Sequence, residues 1–157
     1  MTTLGIDPGK SGGIAIFQNG ELLGCERMPL ASGTIDVSAL QQIIIENRAE
    51  SAVIEKQHTR GGQGGNLTIG ANYGRILAVL ELCGVPYREV HPSKWTAKIR
   101  QWLANDLIPV SKDKKALSAT YCQHMGYDVP VLRSGRLHDG CTDAVCIGKY
   151  GMVNHAP

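Results

Sequence analysis

No stretch of this sequence approaches the ~20 consecutive apolar residues that a helix needs to cross a bilayer, so a helical membrane protein is excluded. The N-terminus also lacks the basic and apolar regions of a secretory signal, and the expected location is the cytoplasm of a bacterium or a phage-infected host. A disulfide framework is missing too. The five cysteines (Cys25, Cys83, Cys122, Cys141 and Cys146) are odd in number and contain no CxxC pair. Neither Cys122 with His124 nor Cys141 with Cys146 has companion ligands at structural-zinc spacing, which leaves reduced core thiols as the expectation. Internal repeats and low-complexity tracts are absent, and so is a large charge excess: 16 Lys and Arg face 14 Asp and Glu, for a formal net charge of +2.

What is present suits a soluble globular chain. The 157 residues are 43% hydrophobic and 19% charged, enough for one domain spanning 1–157 with its own core. The charge is unevenly spread. Between Lys94 and Lys115 the six basic residues Lys94, Lys98, Arg100, Lys112, Lys114 and Lys115 outnumber Asp106 and Asp113, so this segment is either a solvated surface or a phosphate-facing patch.

Apolar alternation and turn residues predict strands over Thr3 to Ile6, Gly13 to Phe17 and Glu21 to Arg27, with Asn19-Gly20 as a hairpin turn. Val37, Leu40, Ile43 and Ile44 recur at helical spacing behind the capping candidate Asp36, and Ser51 to Glu55 reads as a short buried strand. His58 to Asn66 is too glycine-rich to build core and is expected to be a loop. Leu67 to Cys83 reads as a helix ended by Gly84 and apolar on more than one face, so it needs two burial surfaces. One is the sheet. The other is a partner subunit, approached through Gly70, Ala71, Gly74 and Ala78, unless the helix is wholly internal. A strand over Val85 to Val90 follows, then helices over Ser93 to Leu103, Lys112 to Met125 and Leu137 to Met152. The expected class is α/β, with three antiparallel strands and then two parallel ones in a five-stranded mixed sheet flanked by helices on both faces.

Four acids stand out. Asp7 ends the first strand before Pro8-Gly9, and Glu55 closes the fourth, where a charge is costly unless exposed, paired or bound to a cation. Asp139 and Asp143, four residues apart, share a helix face and repel without a cation between them, although acids near a helix N-terminus are also favourable in their own right. Carboxylates of this kind suit hard ions such as Mg²⁺ or Mn²⁺. Two such ions activate a water and stabilise the leaving oxygen of a phosphodiester, which points to a nuclease.

The segments Leu4-Gly5-Ile6-Asp7-Pro8-Gly9, Val53-Ile54-Glu55-Lys56-Gln57 and Asp143-Ala144-Val145-Cys146-Ile147 resemble, in order, the three acidic motifs of the RuvC-type Holliday junction resolvases, and His138-Asp139-Gly140 is similar to the pattern of their phage-type and poxvirus-like relatives. The resemblance spans nearly the whole chain. It implies an RNase H-like fold and a homodimer, formed here through the helix from about Leu67 to Cys83. It further implies paired symmetric nicks across a four-way DNA junction, leaving 5′-phosphate and 3′-hydroxyl ends, with two Mg²⁺ per site and Mn²⁺ as a substitute. Asp7, Glu55 and Asp143 carry over as metal ligands. Where well-known members have an Asp or His three residues before the last Asp, this chain has Gly140, so the fourth ligand is assigned to Asp139, with His138 as a second candidate. In the glycine-rich loop Arg60 and Gln63 are the expected junction contacts, although the loop carries only His58 where relatives place an aromatic. Lys94, Lys112, Lys114 and Lys115 match regions where relatives bind phosphates.

Three other readings compete: a broader nuclease for branched DNA or RNA-DNA hybrids, a catalytically silent DNA-binding module on the same fold, and an actin-like sugar kinase or ATPase. The last rests on Asp7-Pro8-Gly9-Lys10-Ser11-Gly12, which resembles a phosphate-gripping turn. Such enzymes need two domains around a cleft, more than this chain can supply.

Overall fold

A computed structural model describes residues 1–57 and 66–153. The expected contacts Arg60 and Gln63, together with His58, lie outside these described residues. Three strands open the chain as an antiparallel meander: β1 (Thr2–Asp7), β2 (Gly13–Gln18) and β3 (Glu21–Arg27). Asn19 and Gly20 both have positive φ, at 51° and 90°, as the tight turn between β2 and β3 requires. Two very short strands, β4 (Leu30–Ala31) and β5 (Thr34–Ile35), pair with each other in a small hairpin that the sequence pattern did not announce.

Helix α1 (Val37–Glu46) starts where expected, with the Asp36 carboxylate accepting from the Ser38 and Ala39 amides. Then come β6 (Ser51–Glu55), α2 (Asn66–Leu82), β7 (Tyr87–Val90), α3 (Pro92–Asn105), α4 (Lys114–His124) and α5 (Asp139–Val153). Several expected boundaries move, among them the start of the last helix, which is Asp139 and not Leu137 because His138 caps it. The β7 strand begins at Tyr87 and not Val85, because Val85 closes the α2 terminus by donating to the Leu80 carbonyl. The fourth helix begins at Lys114 and not Lys112, because Asp113 is its cap and accepts from the Ala116 amide. Asn66, assigned above to the loop, is the first residue of α2.

The main sheet has the order β3-β2-β1-β6-β7, antiparallel on one side of β1 and parallel on the other, as the sequence led us to expect. Strand alternation divides its side chains between two cores. Leu4, Ile6, Ile14, Ile16, Ala52 and Ile54 face α1 and α2. On the opposite face Val53, Ala15 and Phe17 pack with α3, α4 and α5. Helix α5 lies against the sheet at backbone distance, because Gly5, Gly12 and Gly13 meet Gly140, Cys141 and Gly148 with no side chain between them. A Cβ on Gly5 would sit 2.7 Å from the Gly148 Cα and would overlap the Ala144 carbonyl oxygen.

Helix α2 is not wholly internal. Ile76, Val79 and Leu80 are buried against the sheet, whereas Leu67 and Leu82 are 85% and 84% exposed and Gly70 and Gly74 have open space before them. All five cysteines are free thiols. Among the described residues, no helix is long and apolar enough to cross a membrane.

Candidate active site

Strands β1 and β6 run parallel with Ile6 opposite Ile54, so Asp7 and Glu55 leave the same edge of the sheet from neighbouring strands. Alternation puts both on the face that carries Gly5 and Val53, the face covered by α5. The close approach of α5 brings Asp143 to the same place. Asp143 and Glu55 are 6% and 7% exposed, a burial that carboxylates tolerate only with partners.

The partners come from α3 and α4. Trp95 of α3 is fully buried and donates its indole N–H to Glu55 Oε2 at 2.8 Å. Ser118 of α4 donates its hydroxyl to Asp143 Oδ1. Lys114, one helical turn before Ser118, lies between the two acids, with its ammonium 3.0 Å from Glu55 Oε2 and 3.1 Å from Asp143 Oδ2. The same ammonium stands 4.9 Å from the Trp95 ring centroid, within cation-π range.

Electrostatics follow from this crowding. Burial, reinforced by the charges of Asp143 and Glu55, pushes the Asp7 carboxyl up to about 7, against the weaker pull of Lys114 and the Gly9 amide. Burial also raises Asp143, and Lys114 and Ser118 offset only part of that rise. Burial works to lower Lys114, yet the carboxylates of Asp143 and Glu55 prevail and hold its ammonium above the usual lysine range. The site therefore gathers three acids around one lysine, a surplus of negative charge.

Asp139 is placed differently. As the first residue of α5 it points to Lys115 at 3.1 Å and Arg136 at 3.3 Å. Despite partial burial, these two cations hold its carboxyl below the ordinary value. The repulsion expected between Asp139 and Asp143 is thus relieved by separate cations, one set for each acid. His138 is buried, and its Nδ1 accepts from the Cys141 amide while its carbonyl accepts from the Cys141 and Thr142 amides, so it caps α5. Burial, with Arg27 nearby, lowers its pKa and keeps the ring neutral at pH 7. Lys94 and Lys112 are exposed.

Trp95, Ser118 and Arg136 were not singled out in the sequence, and Lys114, expected as a phosphate contact, is instead paired with Glu55 and Asp143. One signal was available: Lys114 and Ser118 sit four residues apart, on the side of α4 that also carries buried Leu117 and Tyr121. Among the described residues, no three His, Cys, Asp or Glu side chains are arranged to hold an ion as they stand. The donor set nevertheless fits a hard divalent cation, because its oxygens are all carboxylates and their charge exceeds what Lys114 neutralises.

Among solved structures, Thermus thermophilus RuvC in complex with a Holliday junction substrate is similar over 96% of this chain and 91% of its own, with a TM-score of 0.65 and 16% identity. The fold is that of RuvC. A second Thermus thermophilus RuvC structure is similar to this RuvC-like chain over 96% of it and 92% of its own, at TM-score 0.59 and 18% identity. The yeast mitochondrial Holliday junction resolvase follows at TM-score 0.48 and 16% identity, over 96% of this chain and 77% of its own. No protein-family model and no curated protein sequence matches the chain.

Proposed function

We propose that this protein is a divalent-metal-dependent endonuclease of the RuvC type that resolves four-way DNA junctions. The observation that carries the reading is the convergence of Asp7, Glu55 and Asp143, from two strands and one helix, at one edge of the sheet. Bound to these acids, two Mg²⁺ or Mn²⁺ ions would activate a water and stabilise the leaving oxygen of a phosphodiester, giving 5′-phosphate and 3′-hydroxyl ends. The chain's own residues supply the frame. Trp95 fixes the Glu55 carboxylate, Ser118 fixes Asp143, and α5 holds Asp143 in register with the strands through its glycine contacts. Asp139 is the proposed fourth ligand, which Lys115 and Arg136 must release before it joins the others.

The RuvC structure bound to a Holliday junction supports branched DNA as the substrate. Phosphate contacts are assigned to Lys94, Lys112 and Lys115, and junction contacts to Arg60 and Gln63. Such contacts strengthen binding without reading sequence. We assign a homodimer through the open face of α2, where Leu67, Leu82 and small residues lie uncovered. A two-fold enzyme matches a two-fold junction and nicks both strands symmetrically.

The test is to incubate the protein with labelled junction, Y-fork, duplex and RNA-DNA hybrid, with Mg²⁺, Mn²⁺ or chelator. Chelator-sensitive paired nicking of the junction is expected, and Asp7→Asn is expected to bind the junction while cutting it far more slowly. Equal cutting of all substrates would reduce the reading to a general nuclease; cutting in chelator would remove its chemistry.

A further inference from the structure

The Lys114 ammonium is 3.0 Å and 3.4 Å from the two Glu55 oxygens and 3.1 Å from Asp143 Oδ2, so it occupies the space where those carboxylates face each other. Oxygen lone pairs aimed at this ammonium are not available to a second cation. A divalent ion held by both acids would lie within van der Waals reach of the ammonium, and two positive charges at that separation repel strongly in a partly buried site. The lysine has a way out. Its side chain is 37% exposed, and it starts α4, directly after the exposed residues Lys112 and Asp113.

We infer that Lys114 is an internal competitor for the metal: its ammonium holds Glu55 and Asp143 together until a divalent cation displaces it. The inference rests on the metal-dependent reading above and adds to it a built-in threshold for loading. If the lysine-bound arrangement outweighs the withdrawn one about ten to one, metal affinity is lowered about tenfold.

Two measurements on the intact protein test this. In the first, Mn²⁺ binding without DNA is titrated by electron paramagnetic resonance for the wild type and for Lys114→Met, which keeps an unbranched, mostly apolar side chain of similar length but loses the charge. Binding on the order of tenfold tighter in Lys114→Met is expected; equal or weaker binding overturns the inference. The second uses the wild type alone, so it decides even if the variant does not fold. Pulsed acetylation read by mass spectrometry should label Lys114 several-fold faster in saturating Mn²⁺ than in chelator, with Lys98 unchanged as the internal standard. Labelling of Lys114 that is indifferent to Mn²⁺ means the lysine stays in place, and the inference fails. Asp143→Asn separates this failure from that of the underlying reading. It should abolish Mn²⁺ binding at the site, and Mn²⁺ binding that ignores Asp143, or is absent in every form, overturns the metal-dependent nuclease and the inference together.

Discussion

Replacing Gly5 with alanine tests whether the position of α5 sets the site. On strand propensity alone the change is favourable, since glycine inside a strand costs about 0.5 to 1 kcal/mol relative to alanine. The packing says the opposite. The new methyl would meet the Gly148 Cα and N at 2.7 Å and run into the Ala144 carbonyl, all of them helix backbone atoms that cannot rotate aside. Ordinary carbon contacts begin near about 3.5 Å, so α5 must retreat by close to 1 Å. Overpacking of this kind costs about 1 to 3 kcal/mol, which outweighs the propensity gain. Asp143 immediately precedes Ala144 and must move with it, away from Asp7 and Glu55. A misplacement of about 1 Å lowers rate on the order of 10²-fold. Urea unfolding and single-turnover junction nicking measure the two effects, and Gly24→Ala is the control, because a Cβ on that β3 residue meets nothing within 4 Å. Gly5→Ala protein as stable and as active as the Gly24→Ala control would mean that the seat of α5 on β1 does not set the site.

Trp95→Phe removes the indole donor from a buried Glu55 carboxylate, a hydrogen bond to a charged group worth about 1.5 to 3 kcal/mol, and should also lower metal affinity by about 10- to 100-fold. An unchanged denaturation midpoint together with unchanged Mn²⁺ affinity would remove Trp95 from the site. The raised Asp7 carboxyl makes a pH prediction for chelated protein. Its folded pKa of about 7 exceeds the ordinary 3.8, so the folded state holds the proton more tightly and stability falls as pH rises from about 4 to about 7. That difference corresponds to a loss of at most about 4 kcal/mol, and saturating Mg²⁺ should flatten the slope; a chelated protein that gains stability over this range contradicts the assignment. Lys94→Ala with Lys112→Ala should weaken junction binding and reduce its salt dependence by about one unit of slope per lost phosphate contact, and unchanged affinity would return both lysines to a solvated surface.

Much of this architecture was legible because period and punctuation agreed. Asn19-Gly20 marked the hairpin, Asp36 marked the start of α1, and the strand-end positions of Asp7 and Glu55 marked an edge of the sheet. The β4-β5 hairpin was not legible, because strands of two residues have no period. It is held from outside, by Asn72 of α2 accepting from the Ile35 amide and Arg75 donating to the Ile35 carbonyl. Within the site the acids were visible and their partners were not. Charge in a sequence does not say which neighbour it meets, so Lys114 read as a phosphate contact until the crossing of α4 and α5 placed it on Asp143. Asp139 shows the same limit from the other side, since its spacing from Asp143 suggested a shared face but not its capture by Lys115 and Arg136.

The central claim is that Asp7, Glu55 and Asp143 together hold divalent cations. Diffraction from crystals soaked in Mn²⁺, recorded where manganese scatters anomalously, tests it without reference to any substrate. Anomalous density is expected about 2.1 Å from carboxylate oxygens of Asp7, Glu55 and Asp143, with the Lys114 ammonium moved off Glu55 and Asp143. Anomalous density confined to other parts of the surface, with Lys114 still bridging Glu55 and Asp143 at saturating Mn²⁺, would contradict it.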